Sequence, residues 1–439
     1  MKFISKALIS SAVVSAVLLG CSSTSTETSS ITYPVTKTVD TVDEYFGTKV
    51  ADPYRWLEDD LSKETAAWVT QQNEVTQSYL SQIPYRETIE KRLAAIMDYE
   101  KVGMPFIEGK YTYYYKNDGL QNQYVLYRKN AQGKEEVFLD PNKFSDDGTV
   151  SLAGLEFTKD GSKAVYMISE GGSDWRKAVV IDTETKEILE PKLVDIKFSG
   201  ISWLGNEGFY YSSYDKPKGS ELSAKTDQHK VYFHKLGTKQ SEDILVFGGT
   251  PEQKHRYVWA GVTDDSKYAV ISAAVSTSGN KLFIQDLSKK NAPLVAIVAN
   301  TDSYTSYLTS KGGYLYLVTN LNAPNKRLVK VKASNPSPEN WVDVIPENES
   351  VLSVSTGGGY LFAQYIKDAS SKIQQFDYDG KLVRDIELPE VGSASGFYGK
   401  KSQQSLYYSF SNQKTPSTIF SLDVKSGQSE VYAESKVDF

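Results

Sequence analysis

Seven times along the chain a short turn leads into an aromatic or β-branched strand, and a second such strand follows about 10 to 20 residues later. The leading strands are read at residues 111–115, 164–167, 209–211, 268–271, 314–317, 360–363 and 406–409. Their partners are read at 125–127, 179–181, 231–233, 282–284, 328–331, 373–376 and 419–422. The units recur at roughly 45 to 60 residues, the period of a four-stranded propeller blade. Turn chemistry opens the units, as in Lys159-Asp160-Gly161, Gly205-Asn206-Glu207-Gly208, Asp264-Asp265-Ser266 and Gly357-Gly358-Gly359. Gly there supplies positive φ, and Asp or Asn bonds its own backbone. The pattern predicts a mainly β protein built as a seven-bladed β-propeller. A large sandwich would also show short, evenly spaced strands, but it gives no reason for a repeat near this period. The 30 Tyr, 17 Phe and 6 Trp suit strands packed face to face.

The chain begins differently. Lys2 and Lys6 precede an apolar stretch from Ala7 to Leu19, too short for a stable membrane span, and Gly20 precedes Cys21. Residues 1–20 read as an export signal. The run Leu18-Leu19-Gly20-Cys21 resembles a bacterial lipobox, which implies lipidation of Cys21, the chain's single cysteine, and an anchor in the cell envelope. The alternative is an ordinary secretory signal with a chance Cys. Residues 21–31, nearly all Ser and Thr, read as a flexible tether. Residues 32–100 then change to helical periodicity. Leu61, Trp68, Val75, Tyr79 and Ile83 fall near one face before Pro84, and Ile89, Leu93, Ile96 and Met97 form a second stripe. Two such helices leave Trp56, Leu57 and Trp68 without a core. Residues 101–439 hold the propeller, with 101–109 and 431–436 as the candidate ring-closing strands.

No catalytic apparatus is visible. A hydrolase elbow needs G-x-S-x-G, followed by an acid and then a His. The nearest approaches are Gly200-Ile201-Ser202-Trp203-Leu204 and Gly392-Ser393-Ala394-Ser395-Gly396; neither fits, and both read as turns. The histidines are His229, His234 and His255, none of them late in the chain. They read as satisfied or solvated side chains and not as a metal pair. No metal-binding or nucleotide-binding motif and no basic stripe for nucleic acid is present, so no cofactor is expected. The net charge is −6.

The run Asp52-Pro53-Tyr54-Arg55-Trp56-Leu57-Glu58-Asp59 resembles the N-terminal signature of the prolyl oligopeptidase family of serine peptidases. In the same order follow Gly119 to Gln123, Phe138 to Asn142, Ser145 to Val150, Gly172 to Trp175 and Ser241 to Leu245, so the resemblance runs from about Tyr33 to Phe439. It implies a propeller inserted into an α/β-hydrolase domain. The helical segment would belong to that hydrolase, and the catalytic Ser, Asp and His would lie in a part that this sequence does not contain. It further implies short proline-containing peptides as substrates and a hydrolase half packed on the helices and propeller. Phe198, in Ile196-Lys197-Phe198-Ser199, matches a family aromatic lining the peptide pocket. Val246 stands where the family often has Cys, a departure that leaves its role open. Blade packing is the alternative for both. A different class of function is a lipid-anchored propeller that binds a partner without cleaving it.

Overall fold

The computed structural model describes residues 31–217, 221–222 and 226–437. Cys21 and residues 1–30, with the signal and most of the tether, lie outside them. The chain divides between Thr88 and Ile89 into two compact units.

The first unit opens with a hairpin, Val42–Tyr45 against Thr48–Ala51, that the sequence reading did not anticipate. Its turn residues Phe46 and Gly47 both take positive φ, 51° and 82°, as a two-residue hairpin turn requires. The family-like run then folds as a 3₁₀ turn, Arg55–Glu58. Arg55 bonds Asp52 at 2.7 Å, pairs with Asp43, and lies 3.4 Å from Glu58. The indole N–H of Trp56 donates to the Lys37 carbonyl, and that of Trp68 donates to the Thr36 hydroxyl. Helix α1, Lys63–Ser81, starts where Ser62 Oγ accepts from the Thr65 amide at 3.0 Å, the expected N-cap. Helix α2, Arg86–Met97, carries the chain across the boundary between the units. Both helices appear where periodicity placed them, yet Thr65 is the one buried residue in α1 and α2 has none.

The second unit holds the seven-bladed propeller. Blades run from Lys101 to Leu139, Val150 to Lys197, Ser202 to Phe247, Tyr257 to Val298, Thr305 to Ile345, Ser353 to Ile386 and Ser393 to Glu434. Each is an antiparallel meander in sequence order. The strands read as leading a unit are in fact the second of each blade, and their partners the third. These two are buried on both faces, which makes them the most apolar. In blade 3 the second strand, Gly208–Ser213, is buried throughout. All seven blades shift register between the third and outermost strands. A bulge of this kind adds local twist to the outer strand.

Buried apolar clusters join blades 1 and 2, 2 and 3, 3 and 4, 4 and 5, 5 and 6, and 6 and 7. Among the described residues no such cluster joins blade 7 to blade 1. Alternation explains this: Tyr113, Leu126 and Phe138 face blade 2, so Tyr114, Lys116, Tyr127 and Lys129 face the other way. That face is charged and aromatic, with Lys116 over Tyr127 at 4.7 Å and Lys129 over Tyr114 at 5.0 Å. The Lys400–Glu108 ion pair, 2.7 Å, crosses the seam. Among the described residues no strand is exchanged there. Lys101–Val102 and Phe106–Glu108 form the innermost strand of blade 1, broken at Gly103 to Pro105, while Ser429–Glu434 closes blade 7 on its own third strand.

Candidate functional site

Seven meanders in a ring leave a central tunnel with two unlike ends. One end carries the turns between first and second strands. The other carries the turns between second and third strands and the connections from blade to blade.

At the first end the innermost strands enclose a cavity of about 1190 Å³, with walls that include Glu108, Glu156, Trp203, Asp264, Lys311 and Lys401. Its mouth is bridged by side chains from several blades. Asp264 Oδ2 accepts from Lys401 Nζ at 2.7 Å, Thr309 Oγ1 at 2.5 Å and the Ser310 amide at 3.2 Å. Lys401 also donates to the Ser310 carbonyl, and Lys159 to the Asp264 carbonyl. Burial alone would raise the Asp264 carboxyl, but these bonds outweigh it and hold it below the usual range. Glu156 lines the cavity with an exposed side chain. Burial, with Glu108 adding its charge, pushes it up to about 7. Glu108 is raised by burial against the pull of Lys400.

The opposite end holds Phe198, just past the outermost strand of blade 2, Leu193–Lys197. Its φ of 51° turns the ring out of the sheet, and the side chain stays 41 % exposed. Tyr214 and Tyr257 meet it edge-on at 6.2 and 6.0 Å. On its other side the Lys197 ammonium lies 5.3 Å from the Phe198 ring and 4.9 Å from Trp175. His229 fixes this corner from beneath. It is fully buried, its Nε2 bonds the Lys197 carbonyl at 2.9 Å, and its Nδ1 accepts from the Val258 amide at 2.9 Å. The ring is therefore neutral, with the proton on Nε2 and Tyr214 stacked on it at 4.3 Å; burial lowers it to about 4.

Val246 lies elsewhere. It sits in the outermost strand of blade 3, Ile244–Phe247, half-buried against the core shared by blades 3 and 4. The structure thus gives Phe198 an exposed face and Val246 a packing contact, and brings no contact between the two.

The remaining histidines are bonded within the fold. His234 bridges two buried acids, Asp243 at 2.7 Å and Glu190 at 3.0 Å. Burial would lower it, but these partners outweigh that and push it up to about 9. His255 Nδ1 meets the Gln253 carbonyl at 3.0 Å, and burial lowers the ring. The serines of the two runs lie in strands, Ser202–Leu204 and Ser393–Tyr398, and not in the turns that the sequence suggested. Ser202 Oγ accepts from the Val262 amide, tying blade 3 to blade 4, and Ser395 Oγ bonds Ser409 Oγ across blade 7. Among the described residues no three His, Cys, Asp or Glu side chains are placed to hold a metal ion.

Sequence reasoning reached Phe198 and read His229 as a satisfied side chain, but it did not single out Lys197 or Tyr257, or His229 as a support of this corner. The scarcity of histidine was the one signal that could have singled out His229.

A family profile described as the prolyl oligopeptidase N-terminal β-propeller domain matches residues 33–435. The chain is 57% identical over 408 residues to the prolyl endopeptidase of Elizabethkingia meningoseptica, covering 93% of this chain and 58% of that protein. It is 30% identical over 480 residues to the prolyl endopeptidase of Dictyostelium discoideum, with 92% and 63% covered. Among solved structures, one from a mechanistic study of two prolyl endopeptidases superposes with a TM-score of 0.83 at 28% identity, covering 93% of this chain and 60% of that one. Prolyl oligopeptidase B of Galerina marginata, bound to a 25mer macrocyclization substrate, superposes at 0.80 with 27% identity, covering 92% and 61%. The chain thus spans less than two thirds of the length of these relatives.

Proposed function

Because the chain belongs to the prolyl oligopeptidase family through its propeller, we propose that it is the N-terminal and substrate-gating part of a serine endopeptidase that cleaves short peptides after proline. The observation that carries this reading is the likeness over residues 33–435 to prolyl endopeptidases. In this reading the catalytic Ser, Asp and His come from a hydrolase half, and the chain by itself is inactive. That half would cover the apolar residues that α1 and α2 leave open, Val69, Tyr79, Ile89, Leu93 and Met97 among them. The propeller then works by exclusion. The charged bridge at one tunnel end bars folded proteins, and the Phe198 end faces the peptide being cut. Residues 1–20 would export the protein and Cys21 would anchor it by lipid in the bacterial envelope, putting the activity there.

The test uses a chromogenic peptide with an internal proline. The purified chain gives no turnover, and adding a separately expressed hydrolase half of the Elizabethkingia meningoseptica relative restores turnover that a serine-reactive phosphonate abolishes. Phosphonate-sensitive turnover by the chain alone overturns the division of labour. A peptide that binds but is not cut under any of these conditions favours a binding-only propeller. Labelling of Cys21 by a clickable fatty acid in a bacterial host, lost in Cys21→Ser, checks the anchor.

A further inference from the structure

Lys197 is 6 % exposed, and among the described residues its ammonium makes no hydrogen bond and no ion pair. Two ring faces approach it, Trp175 at 4.9 Å and Phe198 at 5.3 Å. The nearby acids do not serve it. Asp195 gives its carboxylate to Lys216 at 3.0 Å, and Asp174, next to Trp175 in the chain, forms no ion pair with it. An ammonium carries three donors, and ring faces attract its charge without accepting a hydrogen bond as an oxygen would.

Beyond Phe198 the pattern repeats in mirror order. Tyr257 lies 6.0 Å from Phe198, and the Arg256 guanidinium lies 5.7 Å over the Tyr257 ring, exposed and also without an ion pair among the described residues. The row therefore reads cation, ring, ring, cation. Aromatic walls suit an extended, proline-containing backbone, which is stiff and apolar. The flanking cations suit a carboxylate on it.

We infer that this end of the propeller holds a carboxylate subsite: the Lys197 ammonium receives a carboxylate of the docked peptide, Trp175 and Phe198 wall it, and Arg256 lends charge from the rim. The inference rests on the reading that peptides dock on this propeller, and it adds which ones dock best. The carboxylate can be the peptide's C-terminus or an Asp or Glu side chain.

Isothermal titration of the chain with four short acetylated proline-containing peptides separates these sources. One pair ends in a free acid or an amide; the other is amidated and carries an internal Glu or Gln. At least one acidic member binds roughly tenfold to a hundredfold tighter than its neutral counterpart, the range of a charge-assisted hydrogen bond. The pair showing the gain identifies the source. Lys197→Met removes the gain and leaves neutral binding in place, Lys197→Arg keeps most of it, and Arg256→Gln reduces it in part. Equal binding of acidic and neutral peptides by the wild-type chain overturns the subsite, leaves peptide docking intact, and needs no variant. A Lys197→Met chain that keeps the preference overturns it too. Equal weakening of both peptides by Lys197→Met would reduce Lys197 to a support for Phe198 and likewise overturn it. Binding of no peptide at all refutes peptide docking, and the subsite with it.

Discussion

His229 ties three blades together beneath Phe198, so replacing it with leucine tests how that corner is held. His229→Leu keeps an apolar side chain in a fully buried position but removes both ring nitrogens. The Lys197 carbonyl and the Val258 amide, each 2.9 Å from the ring, lose their partners. A buried orphan group costs about 1–3 kcal/mol, and loss of the stack on Tyr214 adds about 1 kcal/mol. The expected loss is about 4 kcal/mol near pH 7.5, read as a lower urea midpoint of tryptophan fluorescence. The pH dependence is the sharper check. The folded ring is lowered to about 4 from an unfolded value of 6.5, so below pH 6.5 the unfolded chain holds a proton that the folded chain refuses. The stability from a neutral His229 is complete above pH 6.5 and is lost as pH falls toward 4. At pH 5 the wild type has lost about 2 kcal/mol of it, at about 1.4 kcal/mol per pH unit. The gap between wild type and variant therefore narrows from about 4 to about 2 kcal/mol, while His234, present in both, cancels. A gap under 1 kcal/mol at pH 7.5, or one that does not change between pH 7.5 and 5, would refute the keystone reasoning.

His234 carries the opposite sign. Raised to about 9 between Asp243 and Glu190, it contributes fully below pH 6.5 and is lost as pH rises through 9, on the order of 3 kcal/mol; His234→Gln should flatten the alkaline side of the stability curve, and an unchanged alkaline slope would count against it. The first-to-second-strand turns of blades 2 and 4 share one hydrogen-bond pattern, but blade 2 has Gly161 at φ 72° where blade 4 has Ser266 at φ 59°. Ser266→Gly should stabilise by about 1 kcal/mol, whereas Gly161→Ala destabilises because its Cβ would lie 2.3 Å from the Gly109 nitrogen; the two variants moving together in a thermal melt would contradict this. Around the two helices, Leu61 is 79 % and Leu93 51 % exposed, so the chain alone should bind a hydrophobic dye and residues 52–97 should exchange amide hydrogens quickly. Slow exchange there would show that the helices have a core of their own.

Legibility in the sequence follows burial. Tyr360–Lys367 and Ser370–Phe376, the second and third strands of blade 6, announce themselves because both of their faces lie against other blades. The innermost strand Ser353–Gly357 borders the tunnel and the outermost Leu382–Ile386 is mostly exposed, so each mixes residue types and carries little pattern. The hairpin at Val42–Tyr45 escaped for the same reason, being almost wholly exposed. At the candidate site, the family-like motif pointed to Phe198, while its supports had no local signature. His229 acts on residues 32 and 29 positions away, in other blades.

By itself, the sequence determined the repeat, its count and the two helices, because turn chemistry and apolar period are local properties that each segment carries alone. The tertiary structure decided which strand takes which place in a blade, that the Lys400–Glu108 ion pair spans the seam between blades 7 and 1, and that a lysine with no acceptor among the described residues stands beside Phe198. Those outcomes depend on surfaces brought together by ring closure, and no single segment contains them.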